Sequence, residues 1–204
     1  MRYLQNSLGT FIIAVLLLLC SCGIAKKSSL GKEELLEYIN DPENGLSKEQ
    51  EVNGVKVKLS FYPSSLLVAQ EQTDSIPIEK LKARYGGYYY FKARFSKGGK
   101  EAIRQLGNFG KYSEMVQVLA FRMNDYINLT TYNRDTLPMA DYFFDQTYGM
   151  SDGNNLMLVF SKDQMKNANQ FDINIAECGF GTGALKFSFK KDDLQNVPEL
   201  KDNQ

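Results

Sequence analysis

The 204-residue chain has no histidine and no tryptophan, and it contains only three cysteines and five prolines. Without histidine, a His-x-x-x-His zinc site, a histidine general base and a Ser-His-Asp triad are all excluded within this chain. An excess of one charge sign is also lacking: 24 basic and 24 acidic side chains give a formal net charge of zero. Broad electrostatic binding to nucleic acid depends on clustered positive charge, so no nucleic-acid partner is expected. No spacing in the chain indicates a metal ion or a cofactor.

What is present begins at the N-terminus. Arg2 is the only charged side chain before Lys26, and Phe11, Ile12, Ile13, Ala14, Val15 and Leu16 to Leu19 lie between them. An apolar core of about ten residues suits a signal-peptide h-region, whereas a spanning helix needs about twenty. Cys20, Ser21, Cys22 and Gly23 follow. The alternative is an uncleaved anchor helix, since residues 3 to 25 carry no charge. Asn6, Ser7, Gly9 and Thr10 dilute that segment.

After Lys26, Lys27, Ser28 and Ser29, a short polar stretch, Lys32 to Ile39 reads as a helix stopped by Asp41-Pro42. Strand signals then dominate. Val55, Val57, Leu59 and Phe61 alternate with Lys56, Lys58, Ser60 and Tyr62, and Asn53-Gly54 ahead of them predicts a hairpin with Lys48 to Val52. Tyr89, Phe91, Ala93 and Phe95 alternate with Tyr88, Tyr90, Lys92 and Arg94. Further strands are read around Ile127–Thr131, Tyr142–Thr147, Leu156–Phe160, Phe171–Ile175 and Leu185–Phe189. Lys100 to Leu106 and Ser113 to Met123, the latter with Ser113 as cap, read as helices. The pattern predicts a mainly β chain with minor α, folded as a single antiparallel β-sandwich-like domain. An α+β fold with one mixed sheet is the alternative.

Few constellations suggest chemistry. Cys178 has no histidine to activate it and reads as a buried structural thiol. Gly179-Phe180-Gly181-Thr182-Gly183 is rich in glycine but lacks a Gly-Lys-Ser/Thr ending and leads into a strand, so a turn is expected in place of a phosphate loop. Asp135, Asp141, Asp145 and Asp152 do not have EF-hand spacing. Asp141 and Asp145 share a strand face, which makes a paired-carboxylate glycosidase geometrically conceivable. The outward residues Tyr88, Tyr90, Lys92 and Arg94 form a candidate contact surface for sugars or a protein.

Leu19-Cys20-Ser21-Cys22 resembles a bacterial lipobox, in which a small residue precedes the cysteine that is lipidated and becomes the new N-terminus. Cys22 fits that pattern, with Ser21 before it and Leu19 three positions upstream; Cys20 would place Leu19 at the cleavage site. The resemblance implies a signal peptide over 1–21, a lipidated cysteine and tether over 22–30 and one globular domain over 31–204. In this respect the chain is similar to small lipoproteins of Bacteroidota. Asp74-Ser75-Ile76 and Asp135-Thr136-Leu137 are similar to the O-glycosylation acceptor pattern of that group. The basic Gly23-Ile24-Ala25-Lys26-Lys27 implies retention on the outer membrane facing the periplasm, with the cell surface as the alternative. The mature chain would hold 23 basic and 24 acidic side chains, and Cys178 would be its one free thiol.

Three functions follow as expectations. The first is a membrane-anchored binding or assembly module contacting an envelope protein, which is not an enzyme. The second is a carbohydrate- or ligand-binding lipoprotein with a groove lined by Tyr88, Tyr90 or the Tyr142–Phe144 group. The third is a histidine-free carboxylate hydrolase. Replacing Cys22 is expected to abolish acyl labelling and to release or mislocalise the protein; labelling that persists would assign the lipid to Cys20.

Overall fold

The computed structural model describes residues 29–73, 75–133 and 135–201. The signal segment, Cys20, Cys22 and the tether as far as residue 28 lie outside the described residues. In chain order the elements are β1 (Ser29–Leu30), α1 (Lys32–Asn40), β2 (Ser47–Val52), β3 (Val55–Tyr62), α2 (Ser64–Glu71), α3 (Ile78–Gly86), β4 (Tyr88–Lys97) and β5 (Lys100–Glu101). There follow α4 (Phe109–Gln117), β6 (Ile127–Thr131), β7 (Thr136–Pro138), β8 (Asp141–Asp145), β9 (Asn154–Ser161), β10 (Gln170–Ile175), β11 (Leu185–Lys190), α5 (Lys191–Gln195) and β12 (Glu199–Leu200).

Alternation of apolar and polar residues gives each long strand one face to bury, and two antiparallel sheets result. The larger runs β2-β3-β4-β9-β8, with β5 folded back on β4; the smaller runs β11-β10-β6-β7. β1 and β12 add a two-residue parallel pair. The mainly β, sandwich-like expectation therefore holds, and its alternative of one mixed sheet does not describe the chain. Asn53 at φ 52° and Gly54 at φ 74° supply the left-handed backbone that the β2–β3 hairpin requires.

Several helical segments depart from the sequence reading, the unread α5 among them. Lys100–Glu101 pairs with β4 before a short 3-10 turn over Ala102–Gln105. α4 starts at Phe109 because Asn108, not Ser113, caps it: the Asn108 side chain accepts from the Lys111 N–H at 2.9 Å. Its continuation, Val118–Arg122, is a π turn. The helices α2 and α3 were not anticipated at all. Each follows a proline, Pro63 or Pro77, whose fixed φ suits a helix start.

The two sheets meet through aromatic rings. Phe91, at the centre of β4, is fully buried. Its ring lies 5.6 Å from Phe61 and 6.2 Å from Phe160 within its own sheet. Across the core it lies 6.0 Å from Phe171 and 5.0 Å from Phe189. Val57, Leu59, Leu156, Leu158, Ile173 and Phe187 fill the space around this cluster. Phe91→Ala is expected to cost about 3–5 kcal/mol by urea denaturation. By contrast, Phe143→Ala, on the exposed face of β8, should cost within about 0.5 kcal/mol. Similar losses for the two would overturn the central place given to Phe91.

Candidate functional site

Strand register determines what the outer face of the larger sheet presents. Outward side chains of β3, β4, β9 and β8 align in three rows: Tyr62–Tyr90–Val159–Asp141, Ser60–Lys92–Met157–Phe143, and Lys58–Arg94–Asn155–Asp145. Helices α2 and α3 pack against each other beside this face and add Leu67, Gln70, Arg84 and Tyr85 as a wall. Between wall and floor lies a groove of about 910 Å³. A volume of this order suits a small-molecule or oligomeric ligand.

One end of the groove is aromatic. Tyr85 of α3 packs edge-on against Tyr90 at 6.0 Å, and Tyr88 lies 6.4 Å from the same ring. Tyr88 remains 38% exposed, whereas Tyr90 is only 6% exposed. The expectation of an open outward surface is thereby corrected: the helix pair covers part of it and turns the rest into the floor of a groove. Burial, reinforced by Tyr85 and Tyr88 nearby, pushes the Tyr90 phenol up to about 12, so it stays a neutral donor at physiological pH.

The other end is polar. Lys92 is half-buried on the floor. Burial first, then the Arg94 guanidinium, pull its ammonium below the ordinary lysine value, while Asp145 and Asp152 oppose them. Arg94 does not join the groove. Its Nη1 donates to Asp152 at 2.7 Å and its Nε to Asn155 at 3.2 Å. These bonds tie the β8–β9 connection to β4. Gly153 is needed there, because an added Cβ would come within 2.6 Å of the Arg94 Cγ.

Of the Tyr142–Phe144 group only Phe143 lines the groove, 67% exposed on the edge strand. Tyr142 turns inward and its hydroxyl accepts from the Met123 N–H at 3.2 Å, and Phe144 enters the core. Asp141 and Asp145 both border the groove. Four residues apart on one strand they stand about 13 Å from each other. Paired-carboxylate hydrolysis uses carboxyl separations of about 5–9.5 Å, so the two side chains would have to lean toward each other along the strand to act as a pair.

The remaining candidates have structural tasks. Glu177 accepts from the backbone N–H groups of Gly179 at 2.7 Å, Gly181 at 2.8 Å and Gly183 at 2.6 Å. The glycine-rich segment therefore cradles an anion, but the anion is the chain's own carboxylate. Cys178 beside it is buried and free, and burial, with Glu177 adding to it, pushes the thiol up to about 12. It is protonated at neutral pH. Ser75 and Thr136 of the two three-residue motifs are exposed, while Asp74 lies outside the described residues. Among the described residues no group of three metal-ligating side chains converges.

Sequence reading missed Tyr85, Arg84, Leu67 and Gln70 because the helices carrying them were not read. Tyr62 and Met157 carried a signal, since both fall on the outward parity of strands that were read.

Burial raises the Glu177 carboxyl, but N–H groups of Gly181, Gly179, Gly183 and Thr182 outweigh it and hold the carboxyl below its usual value. A group depressed in the folded state stabilises fully above its unfolded value, and that contribution is lost as pH falls through the folded one. Glu177→Gln is expected to cost about 1–2 kcal/mol at pH 7, the lower part of the range for charged hydrogen bonds because Glu177 is solvent-accessible. The gap between variant and parent should close on acidification below pH about 4; an equal gap at all pH values would exclude the carboxylate cradle. No protein-family model matches this chain, and neither a curated protein nor a solved structure is detectably similar to it.

Proposed function

We propose that the protein is a membrane-anchored lipoprotein of the bacterial cell envelope, acting as a binding module whose ligand is a carbohydrate held in the outer-sheet groove. One observation carries this reading: Tyr88, Tyr90 and Phe143 are gathered with Lys92, Asp141 and Asp145 around a single cavity. Aromatic faces suit the C–H faces of sugar rings, and the polar groups around them suit ring hydroxyls. The Cys22 lipid would hold the protein on the bilayer with about 0.8 kcal/mol per buried methylene, so no spanning helix is required. Among the described residues no helix is long and apolar enough to cross a membrane.

A second reading, assembly with an envelope protein, draws on a separate surface. Phe109 stacks on Tyr112 at 6.3 Å, and the Arg104 guanidinium lies 5.7 Å from the Tyr112 ring. Arg104 also donates to the Tyr148 carbonyl at 2.5 Å. The buried Glu101 holds this loop by accepting from Thr147 Oγ1 and from the Gly149 N–H at 2.7 Å. Phe109, Tyr148 and Met150 are left largely exposed. Exposed aromatic, methionine and arginine side chains are the residue types enriched in protein interfaces.

The two readings separate on a glycan array probed with the mature protein in detergent. Saturable binding is expected, weakened about two- to tenfold by Tyr88→Ala or Phe143→Ala and unchanged by Phe109→Ala. Absence of any glycan binding, together with a protein crosslink in intact cells that Phe109→Ala removes, would replace the first reading with the second.

A further inference from the structure

We infer that Lys92 and Asp145 form a donor–acceptor clamp for hydroxyl groups, which makes the ligand of the groove an uncharged glycan and not an acidic one. The inference rests on the carbohydrate reading above and names its ligand class.

The charged groups that border the groove are not equivalent. Arg84 Nη1 is occupied by Glu71 at 2.8 Å. Asp141 Oδ1 accepts from the adjacent Tyr142 N–H at 2.8 Å. The side chains of half-buried Lys92 and exposed Asp145, in contrast, make neither a hydrogen bond nor an ion pair with any described residue, although they sense each other electrostatically. Register explains why they do not close. Lys92 sits in the row of Met157 and Phe143, and Asp145 sits one row on, beside Asn155. Their Cα positions are two strands apart, about 9.6 Å, and offset by two residues along the strand, about 6.7 Å. A lysine side chain covers only part of that diagonal, and the two do not approach to the 4.0 Å of an ion pair.

The gap between them has a definite chemical preference. An ammonium only donates and a carboxylate only accepts. A hydroxyl does both, so one hydroxyl, or two on neighbouring carbons, can accept from Lys92 and donate to Asp145. A carboxylate or sulfate on the ligand would pair with Lys92 but face Asp145 and Asp141 of the edge strand β8, a like-charge juxtaposition that opposes binding. A cationic ligand meets the opposite conflict at Lys92 and Arg84. Phe143 stands in the row of Lys92, and Tyr88 lies two rows away at the aromatic end of the same groove; both offer surfaces on which a sugar ring of an oligomer can lie.

The test is isothermal titration of the mature, detergent-solubilised protein with neutral hexose oligosaccharides and with uronic-acid oligosaccharides of equal length. Neutral oligomers should bind at least about tenfold more tightly than uronic-acid oligomers. Lys92→Met and Asp145→Ala should each weaken neutral binding about five- to tenfold. The neutral affinity should shift less than about twofold between roughly 50 and 500 mM salt, because no net charge is neutralised. Tighter binding of the acidic oligomers, strengthened by Asp145→Ala, would overturn the clamp, as would neutral binding indifferent to both substitutions. In either case sensitivity to Tyr88→Ala would leave the carbohydrate reading standing. Failure of every oligosaccharide to bind overturns both.

Discussion

The contact of Phe91 with Phe171 and Phe189 is the interaction on which the rest of the structure depends. With Cys178 as the one cysteine among the described residues, no disulfide links the two sheets there, so burial must hold them together. Phe91 occupies the middle strand of the larger sheet, and its neighbours Phe61 and Phe160 come from the strands on either side. Five rings therefore tie three strands of one sheet to two of the other. Edge-to-face and tilted arrangements add to what the buried area contributes. Because the side-chain period in a strand is two, committing Phe91 to the core commits Tyr90 and Lys92 to the opposite face. The groove is thus a consequence of the core.

That opposite face would be flat if nothing stood beside it. Helices α2 and α3 provide the relief, entering directly after β3 and leaving directly before β4, so the wall is built from the connection between two paired strands. Tyr85, in the last turn of α3, reaches Tyr90 because β4 begins at Tyr88, three residues later. The same short connection leaves Tyr88 half in and half out of the groove. The helices wall the tyrosine end, while β8, the far edge strand, contributes the open side with Phe143, Asp141 and Asp145.

How much of this was legible in the sequence follows from the same physics. Strict alternation in 55–62, 88–95 and 185–190 made β3, β4 and β11 readable, together with which face of each is buried. Parity alone put Tyr90 outward, correctly, but parity cannot say what covers a face. Of the covering helices, α2 escaped because it carries Leu66, Leu67 and Val68 in a run and not in a stripe, and α3 because Leu81 is its one buried residue. Asp141 and Asp145 were legible as neighbours on one face, and the strand rise places their Cα atoms about 13 Å apart. The cradle around Glu177 was half legible. The glycines were read as a turn, and nothing local announced that their N–H groups hold a carboxylate two residues upstream.

A comparison of the polar groups across the molecule sharpens the meaning of the groove. Glu177 is held by three glycine N–H groups, Glu101 by Thr147, Gly149 and Arg104, and Arg94 by Asp152 and Asn155. Asn154 accepts from the Ile103 N–H, and Asn174 bridges Asn128 and Thr130. These groups have in common that the chain supplies their partners, as burial demands for Glu101 and Asn154. Lys92 departs from that habit. It is withdrawn from bulk water into the floor of a groove and is left with no protein acceptor in reach. A lysine of this kind loses solvation without gaining a bond, which costs stability unless something else completes it. The same molecule satisfies its other recessed charges from within. The acceptor missing at Lys92 is therefore best understood as one that arrives from outside, between Lys92 and the exposed carboxylate of Asp145.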